Sequence, residues 1–100
     1  MTLRVTWSPD ADTDLLDIWD HLVRTSSVAV ADEQLVRILT VSNRLSEWPR
    51  SGRPRDSIIP GMRSLVVNPY LVFYRLGSGG VQIVRVLHGR RDIDAVFDET

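Results

Sequence analysis

The sequence predicts an α+β fold: an antiparallel sheet with a helical hairpin packed on one face, in the order β-α-α-β-β-β with a short C-terminal helix. Three observations predict it. Residues 62–67, 70–76 and 81–87 are rich in β-branched and aromatic side chains, and Asn68-Pro69 and Gly77-Ser78-Gly79-Gly80 punctuate them as turns. Runs this close in sequence pair only as an antiparallel meander, because a parallel crossover needs about a dozen residues. Upstream of them, two segments repeat apolar residues at helical spacing, separated by the polar turn Thr25-Ser26-Ser27. One hundred residues is the length of a single domain, 1–100, with enough chain to bury a core.

The elements follow in order. Leu3, Val5 and Trp7 alternate with Arg4 and Thr6, the pattern of a strand with one buried face. Ser8 can cap a first helix, Pro9 suits its first position, and Asp10 and Asp12 favour the positive end of its dipole. Ala11, Leu15, Ile18 and Leu22 form its apolar stripe, widened by Leu16, Trp19 and Val23. Asp10, Asp14, Asp17 and His21 fall on the opposite, wet side. Dipole preference and helical spacing explain these acids better than a metal cluster does.

The second helix carries Val28, Ala31, Leu35, Ile38, Ser42 and Leu45 as its stripe, with Val41 and Trp48 alongside, and Pro49 stops it. So short a turn makes the pair an antiparallel hairpin that docks on one sheet face. Residues 49–61 hold three prolines, two glycines and Arg50, Arg53 and Arg55, and read as a structured loop. After the meander, Asp92 can cap a terminal helix bearing Ile93, Val96 and Phe97.

Pairing Leu76 with Val81 and Val67 with Tyr70 gives a register. One face then carries Arg63, Leu65, Val67, Tyr70, Val72, Tyr74, Leu76, Val81, Ile83, Arg85 and Leu87. The other carries Met62, Ser64, Val66, Leu71, Phe73, Arg75, Gln82, Val84, Val86 and His88. Both faces are largely apolar, and a hairpin covers only one. The expectation is a bare underside that bears arginines and apolar side chains and marks a partner site.

Composition narrows the chemistry. With no cysteine, disulfides and thiolate metal sites are excluded. No apolar run approaches the roughly 18 residues of a membrane span, so the expectation is a cytoplasmic protein with no membrane partner. The net charge of −1 argues against bulk nucleic-acid affinity, but the charge is unevenly spread. Residues 1–43 carry −4, residues 44–91 carry +7 and residues 92–100 carry −4, a polarised surface suited to an anionic partner. All twelve basic residues are arginine, the side chain of bidentate contacts, although coding bias explains that equally.

Five motifs then resemble a known family. They are the Pro-x-x-Gly-Arg-x-Arg loop from Pro49 to Arg55, Gly61-Met62-Arg63, the Tyr-x-Val-x-Tyr of Tyr70 to Tyr74, Val-Leu-His-Gly-Arg-Arg-Asp from Val86 to Asp92, and the helical hairpin after one strand. Together, over essentially the whole chain, they resemble the ParE/RelE toxins of bacterial type II toxin–antitoxin systems, with an ending closer to the ParE branch. That resemblance implies one of two activities on one fold. ParE-like members bind DNA gyrase and trap cleaved DNA. RelE-like members are endonucleases that cut mRNA in the ribosomal A site without a metal. It also implies a cognate ParD-like antitoxin, a hetero-oligomeric complex, operator DNA bound only through that antitoxin, and no cofactor or metal.

Candidate residues follow from both readings. The gyrase reading assigns target binding to Arg50, Arg53, Arg55, Arg63, Arg85, His88, Arg90 and Arg91. It assigns antitoxin binding to Leu65, Val67, Tyr70, Val72, Tyr74, Ile83 and Trp19. The nuclease reading takes Arg53, Arg55, Arg63 and Arg85 for the phosphate, with Tyr74 or His88 for proton transfer, because an arginine does not give up its proton. No tyrosine follows Tyr74 where the nucleases carry one, and the register puts His88 across the sheet from Arg63 and Arg85. Tyr70, Tyr74 and His88 are residue types used more often for packing and local hydrogen bonding than for catalysis, and Arg90-Arg91-Asp92 also reads as a helix cap with an internal ion pair.

Overall fold

A computed structural model describes residues 2–98. Its elements are β1 (Arg4–Trp7), α1 (Pro9–Thr25), α2 (Val28–Asn43), β2 (Arg53–Pro54), β3 (Met62–Val67), β4 (Tyr70–Gly77), β5 (Gly80–His88) and α3 (Ile93–Asp98). The five strands form one sheet in the order β1-β5-β4-β3-β2. The meander is antiparallel as expected, and Leu76↔Val81 and Val67↔Tyr70 pair as the turns imply. The peptide bond between Asn68 and Pro69 is cis.

The sheet is mixed rather than wholly antiparallel. β1 lies parallel to β5, with Val5 opposite Val81 and Trp7 opposite Ile83. The intervening helical hairpin and meander supply the long connection that a parallel pair requires. Residues 49–61 are not all loop: Arg53 and Pro54 pair with Ser64 and Arg63 to form a two-residue edge strand. Its proline presents no N–H to further strands, which blunts that edge.

Both helices start where side chains satisfy their free amides. The Ser8 hydroxyl accepts from Ala11 N at 3.0 Å and donates to the Val84 carbonyl at 2.8 Å, so one residue caps α1 and ties it to β5. Ser27 accepts from Val30 N at 3.1 Å at the head of α2. α2 ends at Asn43, not at Trp48. A 3-10 turn over Arg44–Ser46 follows and keeps Leu45 in the core.

Two apolar clusters flank the sheet. Under the hairpin, Ala11, Ile18, Ile38 and Leu45 meet Val67, Tyr70, Val72, Tyr74, Val81, Ile83 and Val86. On the other face, Met62, Phe73 and Leu87 are buried beneath Val96 and Phe97 of α3, with Ile58 and Ile59 packed against them. The Phe73 and Phe97 rings meet edge-on at 5.1 Å.

The register shifts at one place. Tyr74 faces Ile83, but Phe73 faces Arg85, so a bulge inserts Val84 in β5. A one-residue insertion exchanges the faces of every residue beyond it. Val86 therefore joins the hairpin-side core, Leu87 joins the opposite cluster, and His88 pairs with Tyr70, the reverse of the expectation in each case.

Candidate functional site

The segment after the 3-10 turn is pinned from three directions. The Tyr74 hydroxyl, inside the sheet, donates to Pro49 O at 2.8 Å and accepts from Gly52 N at 2.9 Å. Arg63 donates to Gly52 O at 2.8 Å and Arg50 O at 3.1 Å. Ser51 bonds back to Trp48 O through its hydroxyl, at 2.8 Å, and its amide, at 3.1 Å. Gly52 is required by close approach, since a Cβ there would lie 2.5 Å from the Tyr74 hydroxyl and 2.9 Å from Ser64 O. Burial pushes the Tyr74 phenol up, against the lowering effects of the Gly52 hydrogen bond, Arg63 and Ser51. It stays protonated at neutral pH, as its bond to Pro49 O needs.

This rigid loop holds exposed side chains outward. Trp48 is 66% exposed, and Arg50 and Arg53 are exposed beside it. A large aromatic and two arginines held by fixed backbone are the side chains that dominate protein interfaces, with little ordering entropy left to lose on binding. The helical stripe had taken Trp48 as core. The Pro49 after it was the available signal that the helix geometry no longer applies there.

Arg55 and Arg85, also in the candidate set, are turned inward. Arg55 donates to Ser64 Oγ at 2.8 Å and lies 6.0 Å from the centre of the Phe73 ring. Arg85 grips Asp14 with two bonds, Nε to Oδ2 at 2.8 Å and Nη2 to Oδ1 at 3.0 Å, and Asp14 Oδ2 also accepts from Val86 N at 2.9 Å. Asp14 is thus buried, not on the wet side of α1. The ladder-breaking bulge is what directs an arginine and a free backbone amide at one carboxylate. Arg63 and Arg85 accordingly do not form one cationic surface. The first braces the loop at the β2 edge, and the second fastens α1 to β5.

His88 is exposed at the end of β5, its ring edge-on to Tyr70 at 5.6 Å. Its Nδ1 accepts from Arg90 N at 3.1 Å, a local role that fixes the ring orientation. Together with Tyr70, His21, Asp17 and Arg91 it lines a cleft of about 240 Å³ between α1 and β5. Arg90 and Arg91 are exposed, and Asp92 Oδ1 caps α3 by accepting from Ala95 N at 3.2 Å. Burial pushes the Tyr70 phenol up as well. Among the described residues no group of three or more metal-ligating side chains is arranged to hold an ion, and no helix is long and apolar enough to cross a membrane.

The expected antitoxin surface is not a surface. Val67, Tyr70, Val72, Tyr74 and Ile83 are all at most 5% exposed, and Leu65 is half-buried against them, because the hairpin docks on that face. The opposite face is not bare either, since α3 and the Ile58–Ile59 turn cover its centre. Exposed apolar residues lie mainly on the outside of the hairpin, Leu16, Val36 and Leu39 at 69%, 61% and 38% with Val28 further along α2, while Val66 of β3 is 61% exposed on the other face of the sheet. Half-buried Trp19 donates from Nε1 to Asp32 Oδ1 at 2.9 Å, a bond that ties the two helices of the hairpin together.

Comparison with known proteins bears on these surfaces. The family model described as the ParE toxin of type II toxin–antitoxin system, parDE, matches residues 5–93. Toxin ParE3 of Caulobacter vibrioides is 39% identical over 92 residues, covering 92% of each chain. Toxin ParE1 of Mycobacterium tuberculosis is 38% identical over 95 residues, 94% of this chain and 97% of the relative. Toxin RelE2 of Caulobacter vibrioides is 33% identical over 88 residues, 88% of this chain and 97% of its own. A solved structure, the chromosomal ParDE TA system from P. aeruginosa, superposes with a TM-score of 0.78 at 26% identity, over 87% of this chain and 96% of that one.

Proposed function

The chain belongs to the ParE toxin family of type II toxin–antitoxin systems, and from that premise we propose that it inhibits DNA gyrase by protein–protein binding. The observation that carries this reading is the pinned loop. Three separate groups, Tyr74, Arg63 and Ser51, hold the backbone that displays Trp48, Arg50 and Arg53. His88, Arg90 and Arg91 add a second exposed basic segment for the same target.

The occupied state of the remaining candidates speaks against hydrolysis. RNA cleavage needs a proton donor and acceptor beside cations that hold the phosphate. Tyr74 spends its hydroxyl on Pro49 and Gly52, and burial holds its proton. Arg85 is committed to Asp14 and Arg63 to two carbonyls. His88 pairs with Tyr70 at the end of β5, three strands across the sheet from Arg53 of β2.

A type II toxin has an antitoxin partner, and a ParD-like one suits this chain. Its docking surface is the outer face of the hairpin, where Leu16, Val36 and Leu39 make an exposed apolar stripe for an amphipathic helix. Operator DNA would then be bound through the antitoxin, and the toxin would act in the cytoplasm, where gyrase is.

Purified components test the reading. Adding the toxin to gyrase and relaxed plasmid should suppress supercoiling and accumulate cleaved plasmid, while mRNA on programmed ribosomes stays intact. Intact gyrase activity together with ribosome-dependent mRNA cleavage would replace this reading with the nuclease one.

A further inference from the structure

A concave surface at the β4–β5 turn stands apart from the loop and the hairpin. It encloses about 570 Å³ and is lined by Arg4 and Thr6 of β1, Arg75 of β4, Gln82 of β5 and the turn residues 77–80, with Leu76 and Val81 as its apolar part. Among the described residues no acid lines it. The Arg4 guanidinium has no hydrogen-bond or ion-pair partner among the described residues, and the Arg75 guanidinium donates there through Nε alone, to Gln82 Oε1 at 3.0 Å. Each guanidinium carries five N–H donors, so nearly all of this donor capacity is unspent.

The glycines sharpen the picture. Gly80 is demanded by the fold, because its φ is +143° and a Cβ on it would collide with the Arg4 carbonyl. Gly77 and Gly79 answer to no such demand: neither has a positive φ, and an added Cβ would meet nothing nearer than 3.9 Å. Such glycines cost backbone entropy without relieving a clash. What they leave along the trough is backbone with little side-chain cover.

We propose that this trough is a phosphate-binding site that takes the sugar-phosphate backbone of DNA, a property independent of the gyrase reading. The register sets Arg4 two strands and two residues away from Arg75, a Cα separation on the order of 12 Å at ordinary sheet spacings. Side chains of that length reach neighbouring phosphates on one strand. The lining holds no aromatic ring on which a base would stack, and the trough is open along its length. Charge and bidentate geometry are its recognisable features, which fits backbone contact without sequence reading. Two contacts make a weak, salt-sensitive interaction, in keeping with a chain of net charge −1.

Fluorescence anisotropy of the free toxin with a labelled duplex of about 20 base pairs, titrated with salt, tests the site. The log–log salt slope should be about −1.8, as two neutralised phosphates require. Arg4→Gln and Arg75→Gln should each reduce its magnitude by about 1, and the double variant should not bind. Arg4→Lys, which keeps the charge, should retain the slope, and Arg24→Gln should match the parent. Circular dichroism confirms folding of each variant. Parent-like binding by the double variant would assign the affinity to other arginines and overturn the proposal, as would the absence of binding by the parent at about 50 mM salt. Poly-glutamate competing as well as unlabelled duplex would overturn the assignment to phosphate.

Discussion

The two faces of the sheet are covered by unequal means. On one, helices of 17 and 16 residues bury a continuous core and are locked to β5 by the Asp14–Arg85 pair and the Ser8 hydroxyl. On the other, a six-residue helix and one turn shield Met62, Phe73 and Leu87, while Val66 and the trough around Arg4 and Arg75 stay open to solvent. The first arrangement sets global stability, and the second is a local cover that can open by itself. The unequal cover decides what each side shows to solvent. The well-covered face sends its exposed apolar residues to the far side of the hairpin, and the thinly covered face leaves its arginines to solvent.

Mutation of each face separates the two. Ile83→Ala should lower global stability by about 3 kcal/mol in urea unfolding, because it opens a cavity in a packed core. Phe97→Ala should cost less, about 2 kcal/mol, with hydrogen exchange rising in α3 and the Ile58–Ile59 turn while β1 and β5 stay protected. Equal losses with uniform exchange would erase the distinction between the faces. Asp14→Asn comes next, at about 2–3 kcal/mol, since it leaves the Arg85 guanidinium partly buried without its carboxylate. Double-mutant cycles with Arg85→Met should recover a large part of that loss.

Tyr74→Phe should cost about 1–2 kcal/mol by leaving Gly52 N and Pro49 O without their partner. It should also speed exchange of the loop amides. The pH profile carries the sign: both phenols are raised above 10.0 in the folded chain, so below pH 10 the folded state holds no extra proton and stability is full. As pH rises past 10.0 the unfolded chain loses its phenolic protons first, and stability falls. Tyr74→Phe should make that alkaline decline shallower. Smallest in stability is Leu39→Ser, within about 0.5 kcal/mol of the parent, yet it should weaken antitoxin affinity about tenfold or more by calorimetry.

What the residues revealed directly was local. The Ser8-Pro9 start of α1, the hairpin registers at Asn68-Pro69 and Gly77–Gly80, and the stripe of Ala11 and Ile18 are set by neighbours within a turn or two, and they stand. Several of the differences share one physical source. No local signal marks Val84 as a bulge, and that single insertion moved Val86, Leu87 and His88 to opposite faces. It also created the site that buries Asp14, an acid whose helical position alone says solvent. The parallel pairing of β1 with β5 joins residues more than seventy positions apart, beyond the reach of turn chemistry. The family was legible because five motifs along the chain carry it together, whereas the burial of each candidate side chain depends on the three-dimensional register.

The central claim is that the pinned loop presents Trp48, Arg50 and Arg53 to gyrase. Its most direct test is the dose–response of Trp48→Ala in gyrase cleavage-complex formation, since an exposed tryptophan can be removed without disturbing the core. The account predicts a loss of potency of about tenfold or more at unchanged thermal stability, deepened by Arg50→Ala. Potency equal to the parent in both the single and the double variant would contradict it.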